Sequence, residues 1–327
     1  MKRSMKGGIA IAVGAALALA VGAGQAQTYP QRPVTLVVPF PPGAATDAFA
    51  RVVADRMTKV LGQQMVVINR DGASGIIGTD SVARAAPDGY TLVWGTSSGL
   101  AILPALGRKM PFDPQRDLAP VSLGAKLAYL LVVHPSLPVK SVKELIAFAK
   151  ARPGKLNFAS AGVGGAPHLA AELFRTMAGL DIVHVPYRGT ALFATDLVAG
   201  QVEMAFASPV TTLPFTNVGR LRPLAVTTTT RVDAYPGLPT MAEAGLPGYE
   251  LTQWYAMLAP AKTAADVVAT LNAAMRKALE DPEVRRRITS EGGVPSPTSP
   301  QGLAEFIRSE TAKFQKIAKA AHLKMDQ

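Results

Sequence analysis

PFPPGAATD, Pro39 to Asp47, joins an apolar run to an amphipathic one through a loop that carries no cation. Before it, Val34, Leu36, Val37 and Val38 read as a buried strand. After it, Ala48 to Leu61 sets Phe49, Val52, Val53, Met57, Val60 and Leu61 at helical spacing. The loop therefore ends at a helix N-terminus, where unpaired N–H groups and the positive end of the helix dipole can hold a carboxylate without Lys or Arg. Pro39, Pro41 and Pro42 stiffen the approach, while Gly43, Ala44 and Ala45 keep bulky side chains out of the way. The same residues also fit a plain strand-to-helix turn in which Thr46 or Asp47 caps the helix.

Outward from this loop, strand-like and helix-like runs alternate. The spacing predicts a strand at Met65 to Asn69, a helix at Gly75 to Ala86 and a strand at Thr91 to Gly95. Such alternation argues for a parallel sheet with helices on its faces. A polar loop, Thr96, Ser97 and Ser98, and a proline-rich passage then lead to Tyr129 to Val133, a candidate crossing strand. The pattern repeats as helix Val142 to Ala151, strand Leu156 to Ala159, helix His168 to Ala178 and strand Ile182 to Val185. Helix Ala191 to Ala199 and strands Glu203 to Ala207 and Pro223 to Thr227 follow. Tyr249 to Leu258 reads as the crossing back, and helices at Ala264 to Leu279 and Gln301 to Ala321 close the chain on the first unit. The fold class is thus α/β with two lobes, the second inserted into the first. Residues 27–128 and 256–327 form one lobe and 129–255 the other, with a ligand cleft expected between them.

Met1 to Ala26 has a basic start (Lys2, Arg3, Lys6), an apolar centre and a small-residue end, which is the pattern of a secretory signal peptide cleaved after Ala26. Export to an extracytoplasmic compartment is expected. The chain contains no cysteine, which excludes thiol catalysis and Cys-ligated metals. Without the leader, 31 basic residues face 23 acidic ones, a dispersed excess of about +8. Its one dense cluster, Arg285 to Arg287, follows Glu280, Asp281 and Glu283 and reads as a solvated helix face. No aromatic and basic interleaving points to nucleic acid, although a positive field favours small anions reaching a cleft.

A counterpart of the first loop lies in the second lobe: SAGVGGAPH, Ser160 to His168, again between a strand and a helix. Two facing loops of this kind would seat the two ends of a dicarboxylate on backbone N–H groups. Gly162, Gly164 and Gly165 also fit a turn that needs positive φ. Other features point away from catalysis and cofactors. Gly72, Gly75 and Gly78 give GxxGxxG, a strand-to-helix turn and not a dinucleotide fingerprint. His134, His168, His184 and His322 are too scattered for a metal site; His168 caps or orients its loop and His184 belongs to a strand. Asp47 has no partner carboxylate for acid–base work, and SxxK does not occur. Arg188 either pairs with a ligand carboxylate or lies along the surface.

At the two loops the chain resembles the solute receptors of tripartite tricarboxylate transporters, the Bug family. The resemblance runs through YPQRPVTLVVPFPPGAATD (29–47), NRDGASGIIGTDSVARAAPDGYTL (69–92), NFASAGVGGAPHLAAELF (157–174) and VPYRGTALFATDLVAGQVEMAFASP (185–209). It continues through LRPLAVTTTTR (221–231), LPTMAEAGLPGYE (238–250) and WYAMLAPAKT (254–263). It implies a periplasmic type II binding-protein fold whose lobes close on a small organic carboxylate. It also implies membrane permease subunits as partners and no catalysis, cofactor or metal. A sensor kinase is a further partner such a receptor can serve, and monomer is the default state for a lobe-closing receptor.

By the same resemblance, Phe40, Gly43, Ala44, Ala45 and Asp47 of the first loop and Ala161, Gly162, Gly164, Gly165 and His168 of the second would bind ligand through backbone groups and ordered water. Thr96, Ser97 and Ser98 would add hydroxyls from the first lobe, and Tyr187, Arg188 and Ser208 would come from the second. The chain departs from the family at Gly43-Ala44, where Gly-Gly is common, and at Ala207, where an aspartate is frequent. It departs again at Leu192-Phe193, where a Pro-Ala pair is common. These changes weaken the case for an amino acid and suit an aromatic or aliphatic carboxylate, unless Phe193 simply faces the core.

Overall fold

The computed structural model describes residues 29–43, 45–290, 292–320 and 323. The leader through Ala26 and Ala44 of the first loop lie outside the described residues.

The first sheet is built from β1 (Val34–Val38), β2 (Met65–Asn69), β3 (Thr91–Thr96), β4 (Leu118–Ala128), β10 (Thr252–Pro260) and β11 (Gly293–Pro295), in the order β11-β4-β10-β3-β1-β2. β1 pairs parallel with β2 and β3, whereas β10 runs antiparallel to both β3 and β4. The second sheet has the order β7-β6-β8-β5-β9, from β5 (Leu130–Val133), β6 (Asn157–Ser160), β7 (Val183–Pro186), β8 (Met204–Ala207) and β9 (Arg222–Val226). Two sheets, one drawn from both chain ends, give the two-lobed α/β architecture expected of the alternating pattern.

Helices cover the sheets where their apolar stripes require burial. α1 (Ala45–Leu61) buries Phe49, Val53 and Met57 together with Leu36, Trp94 and Met275. α2 (Ile76–Ala83) follows a short 3₁₀ turn over Ala73–Gly75. In the second lobe, α3 (Val142–Lys150), α4 (Ala166–Ala178), α5 (Thr190–Val198) and α6 (Pro209–Thr216) follow in turn. Ser141 caps α3 by accepting from the Glu144 N–H, which satisfies one of the terminal donors. α7 (Ala265–Glu280), α8 (Pro282–Ser290) and α9 (Pro300–Ala320) close the chain, α7 packing on α1 and β4 and α9 on β4 with a further contact to α4. α9 is anchored by the Trp254 indole N–H, which donates to Glu310 Oε2 at 2.9 Å in a buried bond.

Three expectations change. Thr96, Ser97 and Ser98 do not form a loop: Thr96 ends β3, and Ser97 enters a buried helical turn that runs through Ala105. The passage before Tyr129 contains β4, an eleven-residue strand missed because Pro120 and Gly124 interrupt its apolar pattern. A register irregularity beside Leu258 and Pro120 accommodates the proline. The crossing is therefore compressed to Tyr129, between β4 in one sheet and β5 in the other. The return crossing likewise precedes Thr252, since β10 pairs with the first sheet along its whole length; a lobe boundary at 255 would cut this strand.

The two crossings are stitched together. Tyr129 N–H donates to Thr227 Oγ1 at 2.9 Å, Thr227 N–H donates to the Tyr129 carbonyl at 3.0 Å, and Leu251 N–H donates to the Thr227 carbonyl at 3.1 Å.

Candidate functional site

A cleft of about 870 Å³ lies between the sheets and is walled by both lobes. The first-lobe wall begins where β1 ends. Phe40, Gly43, Ala45 and Thr46 line it, and Gly43 has φ 82, a left-handed value that a side chain would strain. Asp47 is set behind this wall, only 4 % exposed. Its Oδ2 accepts from the Gly43 N–H at 3.0 Å and from Arg51 Nε at 2.9 Å, and its Oδ1 accepts from Asn69 Nδ2 at 2.9 Å. Asn69 Nδ2 also donates to the Phe40 carbonyl at 3.0 Å, while Arg51 donates to Asn69 Oδ1 at 3.0 Å. Three side chains thus form a closed ring that clamps both ends of the loop. Burial alone would raise the Asp47 pKa, but the Arg51, Gly43 and Asn69 hydrogen bonds outweigh it and hold the carboxyl below its ordinary value.

A second first-lobe segment, Asp71 to Gly75, also lines the cleft through Asp71, Gly72, Ser74 and Gly75. Gly72, Ala73, Ser74 and Gly75 all have positive φ, at 124, 48, 57 and 93. Two non-glycine residues in a left-handed run are costly, and the DGASG turn is held there by its β2-to-α2 connection. Its sequence signal was the GxxGxxG spacing, legible as a turn but not as a wall of the site.

In the second lobe, Ala161, Gly162, Gly165, Ala166 and Pro167 line the opposite wall. The loop is organised from behind by two imidazoles. Gly164 N–H donates to His168 Nδ1 at 3.2 Å, which places the His168 proton on Nε2, and Ser160 Oγ lies 2.7 Å from His184 Nε2 and 3.0 Å from the Gly162 carbonyl. The rings stack with centroids 4.1 Å apart, and Phe158 stacks on His184 at 4.8 Å. Burial, then the neighbouring His184 and Arg175, pushes His168 down to about 3; burial pushes His184 down to about 4. Both rings are therefore neutral, and His168 serves as a loop acceptor.

Tyr187, Arg188 and Gly189 line the cleft where β7 leads into α5, and Ala207, Ser208 and Thr211 where β8 leads into α6. Tyr187 Oη donates to Asp196 Oδ2 at 2.8 Å; burial and this carboxylate push its pKa up to about 12. Ser208 Oγ and Thr211 Oγ1 are 3.0 Å apart. Phe193 is fully buried in the second-lobe core and also forms part of the lining. Ser98 completes the polar wall from the first lobe.

Of the residues singled out in the sequence, Phe40, Gly43, Ala45, Ser98, Ala161, Gly162, Gly165, Tyr187, Arg188 and Ser208 line the cleft. Asp47, Gly164 and His168 lie behind the loops they brace. Thr96 and Ser97 are buried, at 2 % and 0 % exposed, because β3 and the turn after it are packed under the cleft floor. The floor itself is made by Leu127, Ala128, Tyr129, Gln253 and Tyr255, from the strands that flank the crossings. Gln253 and Tyr129 have no local sequence signal as site residues, since their roles follow from contacts between distant strands.

The arrangement favours an anion. α1 from the first lobe and α4, α5 and α6 from the second all present their N-terminal residues to the cleft. Among the described lining residues Asp71 and Arg188 alone carry formal charge. N-terminal N–H groups and helix dipoles can hold negative charge with little help from cationic side chains. Among the described residues no group of three or more His, Cys, Asp or Glu is placed to hold a metal ion. No helix among them is long and apolar enough to cross a membrane.

Comparison with known proteins agrees with this geometry. A family model described as the tripartite tricarboxylate transporter family receptor matches residues 49–323. Protein BugT of Bordetella pertussis is 37 % identical over 305 residues, which cover 92 % of each chain. The structure of Rhodopseudomonas palustris Rpa4515 with adipate shares 39 % identity and a TM-score of 0.84, covering 90 % of this chain and 99 % of its own. That of MatC from R. palustris with bound malate shares 33 % identity and a TM-score of 0.79, covering 88 % and 99 %.

Proposed function

Because this chain belongs to the tripartite tricarboxylate transporter receptor family, a family of solute-binding receptors, we propose that it captures a small organic carboxylate between its two lobes and delivers it to a tripartite membrane transporter. The observation that carries this reading is the convergence of helix N-termini from both lobes on one cleft, with Arg188 as the single cation among its described lining residues. Relatives seen with adipate and with malate support the ligand class. In this reading the carboxylate rests on the loop Phe40 to Thr46 and on the loop Ala161 to Pro167, in part through water. Phe40, Leu127 and Tyr255 supply an apolar wall for an aliphatic or aromatic body. Ala207 offers no counter-charge for an amino group beside Ser208, and Asp71 across the cleft is the one acid among the described lining residues.

Capture without turnover fits the lining, whose described residues bring together no nucleophile and base pair. Export to the periplasm and removal of the leader after Ala26 complete the proposal. The test is native mass spectrometry of ligand retained by the purified mature protein, followed by calorimetric titration with straight-chain and aromatic carboxylates, neutral sugars and amino acids. Retention and tight binding of a carboxylate, recovered chemically unchanged after long incubation, is the expected result. Binding of a neutral sugar or a cation with no response to any carboxylate would overturn it.

A further inference from the structure

The geometry points to Gln253, on the cleft floor, as a donor to a second oxygen acceptor of the ligand, the far carboxylate of a dicarboxylate whose near carboxylate rests on the helix N-termini. This rests on the carboxylate reading above and assigns the chemistry of the other end.

Gln253 lies in β10 and lines the cleft beside its strand partner Leu127. Strand alternation turns its neighbour Trp254 away, fully buried against Glu310. Its amide is held by two hydroxyls from distant parts of the chain. Ser97 Oγ donates to Oε1 at 3.0 Å and Tyr129 Oη donates to the same oxygen at 2.9 Å. An amide oxygen has two lone pairs, so its acceptor capacity is filled. The two N–H donors of Nε2 then have no acceptor among the described residues, although the side chain is half-buried. A polar group fixed in this way and left with open donors is suited to a ligand acceptor, and a carboxylate makes the stronger, charge-assisted bond.

The orienting partners give the arrangement its specificity. Ser97 is fully buried, and Tyr129 Oη is committed to Gln253 while its main chain forms the crossing between sheets. Gln253 therefore reports ligand at the pivot of the lobes. Asp71 is the one acid among the described lining residues. A ligand with an ammonium group at its far end would meet donors from Gln253; one with a carboxylate meets complementary chemistry.

The test compares wild type, Gln253→Met, Gln253→Glu and Tyr129→Phe by calorimetric titration with the linear dicarboxylates from succinate to suberate and with monocarboxylates of matching length. Wild type is expected to bind at least one dicarboxylate more tightly than its monocarboxylate counterpart. Gln253→Met should weaken the dicarboxylate about 10-fold and Gln253→Glu, which replaces donors by a like charge, about 100-fold. Monocarboxylate affinity should change by less than about threefold, and Tyr129→Phe, which frees one side of the amide, should give an intermediate loss for the dicarboxylate alone. Thermal melts of the unliganded variants establish that each folds. If Gln253→Glu does not, Gln253→Met decides.

Equal losses for mono- and dicarboxylates would reduce Gln253 to a structural role and overturn the inference. Undiminished dicarboxylate binding by Gln253→Glu would do so too, since it would mean that the side chain donates nothing to the far carboxylate. A wild type that binds monocarboxylates only refutes this assignment but leaves the carboxylate receptor standing, whereas one that binds no carboxylate refutes both.

Discussion

Asp47→Ala removes the common acceptor of the first cleft loop, and its cost can be worked bond by bond. The carboxylate accepts from Gly43 N–H, Arg51 Nε and Asn69 Nδ2. The Arg51 side chain is 49 % exposed, so its ion pair contributes at most about 0.5–1 kcal/mol after solvent screening. The Gly43 and Asn69 bonds go to a charged acceptor but have access to replacement water, and are worth about 1 kcal/mol each. The sum is about 2.5–3 kcal/mol, or a fall of about 4–5 °C in Tm at about 2.1 cal/mol/K of unfolding entropy per residue.

Because the hydrogen bonds win over burial and lower the folded pKa, the contribution is complete above the unfolded value near 4 and is lost as pH falls through the folded one. Melts of wild type and variant should therefore differ by a constant gap from pH 7.5 to pH 5 that closes below about pH 4. Carboxylate affinity should also fall about tenfold, because a loop released at Phe40 and Gly43 must be ordered by the ligand. A gap under about 1 °C at pH 7 with unchanged affinity, or a gap that persists undiminished at pH 3, would refute the reasoning.

Two further outcomes follow from the same geometry. His168 and His184 are both held neutral, down to about 3 and about 4 respectively, against an unfolded value near 6.5. Their contribution to stability is full above about pH 6.5 and is lost as pH falls toward the folded values, by up to about 1.4 kcal/mol per pH unit for each ring. His168→Phe should flatten that acid limb in chemical denaturation series while weakening carboxylate binding at pH 7, since Gly164 N–H loses its acceptor. A Cβ at Gly78 would meet the Arg70 carbonyl and stand 2.8 Å from Pro39 Cα, both backbone. Gly78→Ala should cost about 1–3 kcal/mol by denaturant titration and displace the start of the first loop.

The strand–loop–helix units were legible because each depends on local hydrophobic spacing: β1 and β2 fall where the apolar runs place them, and α1 begins three residues before the periodic stretch. β4 was not, because its reasons are distant. Gly124 breaks the pattern, yet a Cβ there would stand 2.5 Å from the Trp94 ring, and Trp94 lies on another strand. The two cleft loops were legible for a related reason, as both lie at strand-to-helix junctions and such junctions show in Gly and Pro spacing. Asp47 and His168 were legible as members of those loops, but only the fold shows that they brace the wall from behind. The floor was out of reach. Gln253 is fixed by partners 156 and 124 residues away, in a run where every neighbour reads as core.

If the proposed carboxylate rests on helix N-termini from both lobes, the same contacts would drive closure. In an open arrangement a carboxylate on the Phe40 to Thr46 loop meets the dipole of α1 alone; once closed it also meets α4, α5 and α6. Each added terminus is worth about 0.3–1 kcal/mol, so closure gains about 1–3 kcal/mol of differential affinity, a shift of about 5- to 150-fold in the closed population. The hinge does not absorb that gain, because its three hydrogen bonds at Tyr129, Thr227 and Leu251 join the crossing segments to one another and not lobe face to lobe face. A neutral ligand of the same size would gain less from those termini, and so would favour closure less strongly. In the proposed receptor, selectivity for anions and lobe closure would both follow from where the helices start.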